Sequence, residues 1–318
     1  MIFIVVFHFD CSLVSHSIDG HAISLGLVPI GALGQTGVSL FFIISGAALM
    51  HTYQNKFTIN NYVQKRFISI YPMFWTAYCT AFLYLFYINR SINHSAHKWT
   101  FILTVMGLDG YLLYRIPDFY ILGEWFLGCI VLLYLCFPLL RIFTIQSPKV
   151  LIIMICIVCI IVIEKNPFSI AIDRNVLTVL PIFLFGMYFI RYIKITNIYL
   201  CAAALCMYVL ILFCKVNVHP MYKVTIFSIS VFIVLAFIGQ HIDRVRMILK
   251  PTEVISKYSY AIFLTHHVII EQMLTRFNYT KITSTESYCL FVIVCIVISI
   301  TSVCLYKISS NLSRYLIS

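Results

Sequence analysis

Tyr288 to Tyr306 reads YCLFVIVCIVISITSVCLY, nineteen residues without a charged side chain. Coiled into one α-helix, a run of that length approaches the roughly 30 Å hydrocarbon core of a bilayer. Nine more runs answer to the same description, the shorter ones relying on flanking Lys or Arg to reach the interface. They are Met1 to Phe9, Thr36 to His51, Phe67 to Ile88, Tyr120 to Leu140, Val150 to Ile163, Val176 to Ile190, Ile198 to Phe213, Val224 to Ile238 and Tyr258 to Met273. Met1 to Phe9 is short for a crossing and reads as a truncated first helix. The expected fold is all-α, a polytopic integral membrane helix bundle of about ten transmembrane helices.

Composition agrees. Of 318 residues, 62% are hydrophobic and 10% charged, with a mean hydropathy of +0.98, whereas a soluble domain carries about a quarter charged residues. No internal repeat, linker or low-complexity tract is visible, so residues 1–318 read as a single transmembrane domain. The first run lacks the basic start and small-residue cleavage site of a signal peptide. Most of the 12 cysteines lie inside apolar stretches, where a thiol behaves as a small hydrophobe. Cys156 and Cys159 have CxxC spacing without a nearby His or carboxylate, so no metal site is expected.

The net charge of +11 does not indicate nucleic acid, because the 22 Lys and Arg are scattered in ones and twos. Their placement reports topology instead. An eleventh apolar stretch, Trp99 to Tyr114, is broken by Gly107, Asp109 and Gly110. If it stays on the outer face and the N-terminus is cytosolic, 13 basic residues face the cytosol and 9 face out; if it crosses, the numbers become 10 and 12. The first arrangement obeys the positive-inside tendency. Trp99 to Tyr114 is therefore expected as a re-entrant or interfacial segment, and both termini as cytosolic.

Function then has to sit in polar groups at membrane depth. His8 and Asp10 lie in IFIVVFHFD; a neutral imidazole there suits a general base, and equally a histidine bonded to a backbone carbonyl near the interface. Gly34 to Gly46, GQTGVSLFFIISG, carries Gly37, Ser39, Ser45 and Gly46, small residues that admit either close helix packing or a ligand. It leads to a basic loop with Lys56, Lys65 and Arg66, just before Pro72 in the first turns of the next helix. Adjacent cations at a membrane mouth suit a phosphorylated soluble ligand or anionic lipid headgroups. Glu124, in GEWFLG, opens a helix on the outer side, where an acid is favoured by the dipole and capping alone explains it. SYAIFLTHHV places His266 and His267 mid-helix, with Glu271 four residues after His267. Neighbouring residues point to different faces, so at most one of the two histidines is expected to line a site.

In this order the pieces resemble the membrane acyltransferase-3 family of bacterial O-acyltransferases, over nearly the whole chain. The family shows a first-helix histidine in an apolar run (His8), then G-V-x-L-F-F-x-x-S-G (Gly37, Val38, Leu40, Phe41, Phe42, Ser45, Gly46). A basic segment leads to I-Y-P (Arg66, Ile70, Tyr71, Pro72). W-F-L follows with a downstream Y-L and Pro (Trp125, Phe126, Leu127, Tyr134, Pro138), and S-Y-x-x-x-L-x-H closes the set (Ser259, Tyr260, Leu264, His266). Two positions depart from it. The family's arginine about eleven residues before the histidine has no counterpart, since only seven residues precede His8, which implies a late-assigned start or a truncated chain. Ser69 stands where a second arginine is usual, and Lys65 compensates only as a point charge.

The resemblance implies a membrane O-acyltransferase that takes an acyl group, usually acetyl, from acyl-CoA in the cytosol. The acceptor it implies is a hydroxyl of a cell-envelope, capsular or exported polysaccharide, or of a lipid-linked glycan. The implied location is the bacterial plasma (inner) membrane. His8 is then the general base or a transient acyl carrier. Asp10 is a candidate orienting partner, although two residues apart on a helix the pair do not face each other well. Lys65 and Arg66 would hold the coenzyme A phosphates, with Gly37, Ser45, Gly46 and Tyr71 along the donor channel. Glu124, Trp125 and His266 would meet the acceptor or line the chamber. The alternative is a multi-pass secondary transporter or polysaccharide flippase, because intramembrane His, Asp and Glu also serve proton-coupled transport.

Overall fold

The structure is a computed structural model that describes residues 1–24, 30–90, 96–118, 125–213, 218–242, 246–276 and 281–315. Apolar runs become helices: α1 (Ile2–Ser15), α2 (Ile30–Tyr53), α3 (Ile59–Asn89), α4 (Phe101–Met106), α5 (Asp109–Leu112), α6 (Trp125–Gln146), α7 (Pro148–Lys165), α8 (Val176–Tyr188), α9 (Ile198–Phe213), α10 (Pro220–Ile242), α11 (Arg246–Leu274) and α12 (Ser284–Tyr315). Among the described residues the only β pairing is an isolated bridge between Asp19 and Lys281, so the protein is all-α. Among the described residues six helices are long and apolar enough to cross a membrane: those at Gly31–Tyr53, Ile59–Asn89, Trp125–Gln146, Val176–Ile193, Pro220–His241 and Ser284–Tyr315. Length and composition therefore support an integral membrane protein, with six of the ten expected crossings standing on those grounds.

Several helices outrun their apolar segments. α1 continues past Phe9 through Asp10 and Ser12 to Ser15. α3 begins at Ile59, so Lys65 and Arg66 are helical and do not lie in a loop, and Pro72 is in the helix interior. The stretch NNYVQKR is polar but contains no Gly or Pro, and nothing in it stops a helix that the apolar run has nucleated.

Trp99 to Tyr114 forms no through-going helix. It is a 3-10 turn at Lys98–Thr100, then α4, then α5. Gly107 separates the two helices with φ 70, a left-handed cap that costs glycine little. Asp109 is buried in α5; its Oδ1 accepts from the Gly110 N–H at 2.9 Å. Its Oδ2 and the hydroxyl of Thr104, which faces the carboxyl, are both buried. Burial pushes the Asp109 carboxyl above the usual carboxylate range, with the charge of Asp118 adding to the effect. A raised folded-state value makes the penalty negligible below the unfolded value and lets it grow as pH rises through the folded one. Asp109→Asn is thus expected to stabilise the protein by about 1 kcal/mol at neutral pH and to flatten the dependence of its melting temperature on pH above the unfolded-state value. A melting series across pH on both proteins checks this.

The chain packs as two compact units. The first comprises Met1–Gly37, Phe67–Arg90 and Val245–Ser318, and the second Val38–Arg66 and Ser91–Arg244. In the first, α11 packs against α1 and α12. Val5, Phe9 and Leu13 recur every four residues and so share one face of α1; they meet Ile270, Leu274, Leu290, Val294 and Ile298 in one core. In the second, α8 packs on α6 and α7, and α9 on α10. There α2 and α8 touch through their backbones. A Cβ on Gly46 would fall inside the carbonyl oxygen of Phe183, and one on Gly186 inside that of Ile43. Small residues at both positions let the helix axes approach.

Candidate active site

In the first unit α1 and α11 bring three imidazoles together. His8 is half-buried, and its ring centroid lies 4.9 Å from that of His266 and 4.9 Å from that of His267. Both histidines of the T-H-H stretch therefore face His8, against the expectation that only one would. Adjacent residues on a helix are about 100° apart, and α1 lies over the gap between them. His266 is fully buried, and its Nδ1 lies 2.7 Å from the Phe263 carbonyl. A carbonyl only accepts, so Nδ1 carries the hydrogen and Nε2 holds the lone pair of the neutral ring. Imidazoles both donate and accept, so such a cluster can move a proton between rings.

Glu271 extends the cluster. It follows His267 by one turn and is close enough to interact with it electrostatically. One carboxylate oxygen accepts from the Ser12 hydroxyl and the other lies 2.8 Å from His16 Nε2. His8 and Ser12 are one turn apart on α1, and His16 caps its C-terminal end. Sequence reasoning singled out neither Ser12 nor His16, although that spacing was there to be read.

Asp10 is 1% exposed and points elsewhere. Its two oxygens accept from the backbone N–H groups of Ile23 and Ser24 at 2.8 and 3.0 Å. The carboxylate fastens the segment that follows α1. Gly37 lies against α1, where a Cβ would sit 2.8 Å from the Ile4 side chain. Tyr71 is half-buried and stacks on Phe67 at 5.1 Å, with Trp75 at 5.4 Å.

The other sequence candidates belong to the second unit. Ser45 is half-buried, and Gly46 is filled by α8 as described. Lys65 is exposed, whereas Arg66 is half-buried with its guanidinium 5.8 Å over the Tyr134 ring. Tyr134 also receives, at its carbonyl, the Tyr62 hydroxyl at 2.7 Å. Trp125 has Arg174 over its ring at 6.0 Å, a partner that the sequence did not suggest. Glu124 lies outside the described residues. No cluster of three or more His, Cys, Asp or Glu with metal-binding geometry occurs among the described residues.

A comparison with family models matches residues 1–307 to the acyltransferase-3 family, described as an acyltransferase domain. Neither the curated proteins nor the solved structures contain a match. The family match covers both compact units and accounts for the ordered motifs, and it favours an enzyme over a transporter. An apolar helical chain with an imidazole cluster between two of its helices, matched over almost its full length, belongs to the acyltransferase-3 family and is a membrane acyltransferase.

Proposed function

We propose that this acyltransferase moves an acetyl group from cytosolic acyl-CoA to a hydroxyl of an envelope, capsular or exported polysaccharide. What supports this most is the placement of His8 between His266 and His267 within a chain of this family. A thioester is already activated, so the reaction needs a base for the acceptor alcohol and a hold on the donor. His8 takes the hydroxyl proton while the oxygen attacks the thioester carbonyl. The C–O bond forms, the C–S bond breaks, and the departing thiolate takes the proton back from the imidazolium. Charge and atoms balance without a further reactant. His266 and His267 orient the base and spread its transient charge. Asp10 acts one step removed, by fixing the segment beyond α1.

Lys65 and Arg66 hold phosphates of the donor in this reading, and Trp125 with Glu124 serves the acceptor. Residues 1–318 act as one catalytic domain in a bacterial inner membrane, with ten crossings and both termini cytosolic. Incubating the purified protein with radiolabelled acetyl-CoA and glycan extracted from the host envelope tests the whole reading. Ester-linked label on the glycan is expected, and label retained only on coenzyme A would overturn it. In the same assay Arg66→Ala is expected to raise KM for acetyl-CoA about tenfold with a smaller change in kcat, as loss of a charge-assisted contact to phosphate would.

A further inference from the structure

Ser12, His16 and Glu271 take no part in the proton transfer described above, yet they join the two helices that bring the imidazoles together. Ser12 is 3% exposed, and its single hydroxyl hydrogen goes across to one oxygen of Glu271. A hydroxyl inside a helix commonly bonds back to the carbonyl four residues earlier, as those of Thr36, Thr52, Thr76 and Thr80 do here. For Ser12 that carbonyl belongs to His8, and the hydroxyl reaches the neighbouring helix instead. The second oxygen of Glu271 accepts from His16 Nε2 at 2.8 Å. One carboxylate therefore holds two anchors, one within the last turns of α1 and one at its C-cap.

The register makes this a second rung beside the imidazoles. His8 meets His267 at 4.9 Å between ring centroids, and one turn further along both helices Ser12 meets Glu271. Residues four apart on a helix are offset by about 40° around its axis, so on each helix the two rungs leave from nearly the same side. The apolar core acts from another side: Val5, Phe9 and Leu13 are centred about 100° around α1 from His8, and they meet Ile270 and Leu274. Apolar packing is non-directional, so it holds α1 against α11 without fixing how far α1 turns or slides. A carboxylate bound to two donors does fix this, because hydrogen bonds weaken steeply when misaligned.

We propose that Glu271 is a positioning residue: its bonds to Ser12 and His16 set the rotation and depth of α1 that place the His8 ring between His266 and His267. Its effect on turnover rests on His8 as the base, as argued above; the placement of the ring does not. Misplacing a reacting group by about 1 Å costs on the order of a hundredfold in rate. A clip one turn away therefore governs catalysis without touching a substrate.

The test uses the full chain in nanodiscs. Turnover is measured on labelled acetyl-CoA and envelope glycan, and the His8 ring is observed by NMR in protein carrying isotope-labelled histidine, its signal identified by its absence from His8→Ala. Glu271→Leu removes both bonds at similar volume, whereas Glu271→Gln keeps an oxygen for the Ser12 hydroxyl and an amide that donates to the other tautomer of His16. Glu271→Leu is expected to lower kcat about a hundredfold, with both KM values unchanged and the His8 signal displaced. Glu271→Gln is expected to recover most of that loss and to return the signal towards its wild-type position. Should Glu271→Leu fail to fold, Ser12→Ala removes one bond alone and is expected to displace the same signal and lower kcat about tenfold, the order of one bond to a charged group. A displaced signal with undiminished turnover, or with no transfer by the wild type, keeps Glu271 as the support of the ring and sinks the functional reading built on His8. A His8 signal that stays in place without the clip overturns the positioning role, as does a Glu271→Gln variant that loses as much turnover as Glu271→Leu.

Discussion

His8→Ala is expected to lower the acetyl-transfer rate by about a thousandfold, in the middle of the range for loss of a general base, while the protein still inserts and melts as the wild type does. The fold should survive because His8 is half-buried and outside the α1 core built from Val5, Phe9 and Leu13. Mixing the purified variant with labelled acetyl-CoA and acceptor glycan gives the number directly. A folded variant with undiminished turnover would remove the imidazole from the chemistry. His267→Ala should cost less, because His266 still borders His8 at 4.9 Å, and the two variants together separate the base from its neighbours.

Gly46→Ala should bring the second large effect, this time on stability. The atom that a Cβ would strike is a backbone carbonyl, that of Phe183, and it cannot swing aside as a side chain would. The helices must part, which forces the reciprocal pair at Gly186 and Ile43 apart as well. Overpacking of this kind costs about 3 kcal/mol, and in a chain of this size that is a fall in melting temperature of about 5 °C. Gly31 on the same helix has nothing within 4 Å of its Cβ position, so Gly31→Ala should be neutral or slightly stabilising through helix propensity. Equal melting temperatures for the two alanine variants would show that the α2–α8 contact is looser than described.

The apolar runs were enough to place the helices, because burying backbone in lipid leaves few other conformations for such a stretch. Their ends were not legible in the same way. Ile59 to Arg66 and Arg246 to Lys257 are helical without being uniformly apolar, and a polar stretch of helix leaves no hydropathy signal. Gly46 was readable as a small residue that admits either a ligand or another helix, and only the structure shows that α8 packs against it. Asp10 was noticed for its charge, whereas its partners, the amides of Ile23 and Ser24, have no side-chain signature.

The segment after α1 is stitched from several sides: Asp10 takes the Ile23 and Ser24 amides, the Ser287 hydroxyl takes that of His21, and the Asp19 carbonyl takes that of Ile282. Amides already occupied in this way ask nothing of the surrounding solvent. That stretch can be pressed against headgroups or a detergent collar, or stripped of water during crystallisation, without the penalty that unravels most interfacial turns.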